Sequence, residues 1–149
     1  MRAILASSTL SLLEKETKQM AATRQEIFDK LVCDMVVQGR PSFLVDADGI
    51  NHCAYRGEHG AKCAIGMLIP SEMYTINMEK MSVDMLVEMF PEVESIPAFN
   101  ILGMKLLVDI QNSHDFHLEE DFKYFVDNFL LSMRIVASEH GLEWHFKEV

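Results

Sequence analysis

Residues 53 to 70, CAYRGEHGAKCAIGMLIP, gather two cysteines, a histidine, an arginine, a lysine and three glycines into one short stretch. With the residue before it, the segment offers four side chains of the types that ligate zinc: His52, Cys53, His59 and Cys63. Zinc sites usually pair their ligands as C-x2-C or H-x3-H, which aims both at one ion, and this segment contains neither pair. Cys63 becomes a nucleophile if a histidine lowers its pKa, and His114 with Asp115 would supply an imidazole held by a carboxylate. Against that, the flanking KCAIGMLI is the setting of a small buried side chain. His114, Asp115 and His117, in NSHDFH, carry the types that hold a divalent metal or form a base. The alternative is that Asp115 caps the next turn and His114 bonds carbonyls at a helix end. Tyr55, Arg56 and Lys62 are the candidate binding residues; the two cations suit an anion or simply pair with nearby carboxylates. DADG, residues 46 to 49, resembles the start of a calcium loop, but the distal glutamate is missing because residue 57 is glycine, so it reads as a turn. No P-loop, nucleophile elbow, H-E-x-x-H or dinucleotide fingerprint occurs, and no cofactor is expected.

Several elements must position these groups. In TRQEIFDKLVCDMVVQG, Thr23 and Glu26 have capping-box spacing, and Ile27, Phe28, Leu31, Val32, Met35 and Val36 form one apolar stripe. Gly39 and Pro41 should end that helix. The β-formers from Ser42 to Gly66 are punctuated by Asp-Gly and by the Gly57 to Gly60 turn, which predicts a hairpin or a three-stranded sheet. SVDMLVEMF predicts a short helix capped by Ser82 and ended by Pro91. Pro97 favours another helix start, and Phe99, Leu102, Leu106 and Ile110 continue at helical spacing. The last helix opens on Glu119, Glu120 and Asp121, buries Phe122, Phe125, Phe129 and Met133 among others, and ends at Gly141. The expected fold is α-rich α+β, with about four helices around one core. Residues 1–19 read as an N-terminal extension and residues 20–149 as a single globular domain.

Within the hairpin, a turn centred on Glu58 and His59 would pair 56 with 61 and 54 with 63. Alternation then places Cys63 on the face of Ala54 and Arg56, and Cys53 on the other, so the two thiols neither bridge nor share an ion. An odd-length loop would change that parity. Gly57 and Gly60 are expected to supply positive φ, and Gly66 to let another element approach the backbone.

Composition limits the function classes. Thirteen basic against 23 acidic residues give a net charge of −10. That argues against a nucleic-acid backbone binder, which needs a basic stripe, and allows a basic protein partner or mimicry of nucleic acid. The same charge is also what a solvated surface looks like. Eleven methionines suit an adaptable core or contact surface. The three cysteines, Cys33, Cys53 and Cys63, are an odd number without a disulfide framework, which points to a reducing, cytoplasmic setting. The first residues read as neither signal peptide nor membrane span.

The pattern Tyr55-Arg56-Gly57, Gly60, Lys62 to Gly66 and Leu68-Ile69-Pro70, after TRQEIFDKLV and before LVDIQNSHD and SEHGL, resembles a family of short uncharacterised proteins from tailed bacteriophages and some bacteria. The resemblance covers about residues 20 to 142. It implies a viral origin and a shared fold, supplies no reaction, and places the family's usual start near Met20. The leading expectation is therefore an accessory protein that binds a host protein, as an acidic inhibitor of a defence or nucleic-acid-processing complex. The alternatives are a small thiol- or metal-dependent hydrolase or transferase, and a homo-oligomeric structural protein whose methionine-rich segment self-associates.

Overall fold

A computed structural model describes residues 22–115 and 124–146. Helix α1 spans Arg24–Gln38, β1 Phe43–Val45, β2 Asn51–Cys53, α2 Ala64–Leu68, α3 Val83–Met89, α4 Pro97–Leu102, α5 Met104–Asp115 and α6 Phe125–Glu139. Three 3-10 turns lie between them, at Glu58–Gly60, Ile76–Met78 and Pro91–Ser95. Four of these helices have seven residues or more, so the chain has the expected α-rich α+β fold with a small antiparallel hairpin. None is long and apolar enough to cross a membrane.

The capping box of α1 is complete, with the Thr23 side chain accepting from the Glu26 amide at 3.1 Å and the Thr23 amide donating to Glu26. Phe28, Leu31, Val32 and Met35 of its apolar stripe are buried, and Gly39 ends it in the left-handed region at φ 72°. The core those residues enter is one cluster, joining α1 to Ile65 of α2, Leu86 of α3, Leu102 of α4, Leu106 and Ile110 of α5, and Phe129 and Met133 of α6. Gly103, at φ 83°, divides α4 from α5, which keeps Phe99, Leu102 and Leu106 all facing that cluster.

β1 and β2 pair with Phe43 opposite Cys53, Leu44 opposite His52 and Val45 opposite Asn51. Their turn is organised by Asp46, whose Oδ1 accepts the amides of Asp48 and Ile50, both at 2.9 Å, while Gly49 takes φ 80°. The second turn departs from the sequence expectation. It forms only one bridge, Arg56 to Lys62, instead of pairing 56 with 61. His59 adopts φ 57° and Gly60 φ 75°, so the loop holds an odd number of residues. Gly57 is extended at φ −97°, contrary to the positive φ expected of it. Its constraint is space, because a Cβ there would lie 2.6 Å from the Phe43 nitrogen. After Cys63 the chain does not continue as a strand but turns into α2, with the Cys63 sulfur accepting from the Gly66 amide at 3.3 Å.

Two further expectations are corrected. Ser82 makes no side-chain cap on α3; the Val83 amide donates instead to Oε1 of Gln111, from α5, at 2.7 Å. His114 and Asp115, for which NSHDFH predicts a loop following the helix, belong instead to the last turn of α5. His117, the acidic opening of the last helix and the 1–19 extension lie outside the described residues.

The chain after α6 packs back onto the molecule. Gly141, at φ 67°, turns it, and Leu142, Trp144 and Phe146 lie against the core, with the buried indole nitrogen of Trp144 left without a partner.

Candidate functional site

The conspicuous segment is built into the interior. Tyr55 is 3% exposed; its hydroxyl donates to the Met81 carbonyl at 2.6 Å and accepts from Gln111 Nε2 at 3.0 Å. The Arg56 guanidinium donates to the carbonyls of Gly66 and, at 2.6 Å, of Ile69, neutralising the C-terminal end of α2. It also lies over the Tyr74 ring at 5.2 Å. Glu79 completes the set: its carboxylate accepts the amides of Tyr55 at 2.8 Å and Arg56 at 3.2 Å and the Tyr74 hydroxyl at 2.7 Å. Burial first, and then the hydrogen bond to Glu79, hold the Tyr74 phenol above its ordinary pKa. Gly66 is the pivot of this packing, since a Cβ on it would sit 2.8 Å from the Tyr55 carbonyl carbon.

Lys62 is held by its backbone. The Gln38 carboxamide donates to the Lys62 carbonyl at 2.9 Å and accepts from its amide at 2.9 Å, so the end of α1 grips this loop like a neighbouring strand. Arg40 donates to the His59 carbonyl at 2.6 Å from the other side.

The side chains considered for zinc are distributed differently from the sequence expectation. His52 Nε2 is paired with Asp46 Oδ2 at 2.6 Å, across the hairpin. That bond, and then the Ile50 amide, hold the Asp46 carboxyl below its ordinary pKa. His59 is exposed in its loop, Cys63 is 2% exposed within the core, and Cys53 is half-buried. Because 56 pairs with 62, the parity of the loop is reversed, and Cys53, Tyr55 and Cys63 all line one cleft of about 440 Å³. The thiols therefore share a side of the structure, where the sequence placed them apart. Among the described residues no three His, Cys, Asp or Glu side chains are grouped to hold a metal ion.

The cleft lies between β2, the loop at Lys80 to Ser82, and α5 at Gln111 and Asn112. Lys80 at its edge takes φ 64°, a backbone conformation rare for any residue but glycine or asparagine. A smaller cleft of about 160 Å³ adjoins it and shares His52, Cys53 and Lys80.

No family model, curated protein or solved structure matches the chain.

A second surface is formed by α3. Val83 and Leu86 are buried, and the outer side of the helix presents Met85 and Met89, 50% and 60% exposed, one turn apart. Asp84 and Glu88 form a parallel exposed pair on the same helix. The result is an apolar stripe flanked by a carboxylate stripe. Met85 and Met89 fall in the methionine-rich segment NMEKMSVDMLVEMF, which the sequence marked as a candidate self-association face. Glu79, Gln38 and Gln111 carried no local signal, because their partners stand 24, 24 and 56 residues away.

Proposed function

We propose that the protein is a phage-type accessory protein that works by binding a protein of the host cell, in the cytoplasm, and inhibits it without catalysing a reaction. The observation that carries this reading is the outer face of α3, where exposed Met85 and Met89 run beside Asp84 and Glu88. Unbranched thioethers adapt to a partner's apolar groove, and carboxylates beside them favour a groove rimmed by lysine and arginine. Such rims are common on proteins that handle nucleic acid, which makes a defence or nucleic-acid-processing complex the class of target. The resemblance of the Tyr55 to Pro70 pattern to tailed-phage proteins supports the same reading, as does the net charge of −10. The candidate binding residues Tyr55 and Arg56 support the fold that presents this face, since their polar groups bond within the molecule.

The test is affinity capture from host lysate with the full chain, with a Met85→Ser/Met89→Ser variant and with an Asp84→Lys/Glu88→Lys variant. One partner retained by the native chain, lost by both variants and released by raised salt is the expected result. A partner that both variants retain removes α3 from the account, and a self-associating chain in sedimentation velocity would make a second copy the occupant of this face.

A further inference from the structure

We infer that the cleft between β2, Lys80 and α5 is a binding site for a small organic anion, one that carries a carboxylate or a phosphate group. Its lining lacks the carboxylates that dominate the chain's composition. The chain has 23 acidic residues, yet none of the nine that line this cleft is Asp or Glu, and Lys80 and His52 are both among them. A cleft of about 440 Å³ falls in the range that encloses a small organic ligand.

Three polar side chains in its lining have hydrogen-bonding capacity left over. Among the described residues Lys80 has no hydrogen-bond or ion-pair partner, and it occupies the left-handed region, at φ 64°, where asparagine or glycine would be easier. Strain of that kind, at an unpaired charge on the edge of a cavity, is typical of a ligand clamp. Gln111 is 7% exposed; its Nε2 gives one hydrogen to the Tyr55 hydroxyl and has a second to give. His52 is fixed through Nε2 by Asp46 at 2.6 Å, which leaves Nδ1 for the cleft. The nearest carboxylates are already engaged: Asp46 by His52 and by the amides of Asp48 and Ile50, and Glu79, which lines the adjoining cleft, by three hydrogen bonds.

The experiment titrates the isotopically labelled full chain with inorganic phosphate and, separately, with acetate, following amide and side-chain NMR signals. Saturable shifts at Lys80, Gln111 and His52 are expected from at least one probe. The probe that saturates identifies the group the ligand carries. Lys80→Asn relieves the backbone and removes the charge, so it should melt no lower than the native chain while binding at least about tenfold more weakly. Saturation by neither probe, shifts centred on Arg40 or Lys105, or undiminished binding by Lys80→Asn each overturn the inference.

Discussion

The two ends of α1 carry the same device in different surroundings. At one end Gln38 clasps the Lys62 peptide through both its amide and its carbonyl, at 2.9 Å each. At the other end Gln25 does the same to Glu143, donating to its carbonyl at 3.0 Å and accepting from its amide at 2.8 Å. The Gln38 clasp is partly buried and leads into Arg56, Glu79 and Tyr55, where each group satisfies several others. The Gln25 clasp is exposed, and its neighbour His145 bridges Asp29 at 2.7 Å and Glu143 at 2.9 Å while still 45% exposed. Equal hydrogen bonds are therefore unequal in worth: water competes at the second clasp and is excluded from much of the first.

The comparison is tested most severely at Gly66. Gly66→Ala forces a Cβ into the Tyr55 carbonyl, and chemical denaturation should show a loss of about 4 kcal/mol or no folded protein at all. Glu79→Ala leaves two amides and a phenol without their acceptor, and a loss of about 3 kcal/mol is expected in the same assay. A loss below about 1 kcal/mol would show that water enters this region as freely as it reaches the chain end.

The direct comparison pairs Gln38→Ala with Gln25→Ala. The former should cost about 1.5 kcal/mol and the latter about 0.5 kcal/mol, read from urea midpoints at constant slope. Equal losses would break the distinction.

The smallest effect is one of pH. The hydrogen bonds to Asp29, then to Glu143, raise the His145 pKa above its unfolded value of 6.5. Its contribution is thus fully present below pH 6.5 and is lost as pH rises through the raised folded value. Trp144 is the chain's one tryptophan and lies in sequence between Glu143 and His145, so its emission should move to the red over that interval. His145→Ala should abolish the step. An unchanged step would assign it to another group.

What could be read from the sequence was what depends on near neighbours. The capping box of α1, the left-handed Gly39 and Gly141, the close approach at Gly66 and the burial of Cys63 all follow from residue type and local spacing. The departures arise where a partner is remote. The cap of α3 comes from Gln111 and not from Ser82, and the loop at 57 to 61 is set by the space around Ser42 and Phe43 as much as by its own turn residues. The cleft was hidden for the same reason, since its parity rests on one extra residue in that loop and its edge on the unusual backbone of Lys80.

The Gln25 clasp spans 118 positions in the chain. During translation the first helix leaves the ribosome long before the segment that completes it, and for most of that time its outer end faces water where Glu143, His145 and Trp144 will later sit. The Gln111 bond to Tyr55, spanning 56 positions, delays the middle of the molecule in the same way. Nascent chains stalled before residue 111 should therefore remain open to protease at the 53 to 70 segment, and those stalled between 111 and 143 should be protected there while α1 still frays at Gln25. On that expectation the middle of the described chain closes first, and α1 gains its last contacts only when the segment around Glu143 has emerged.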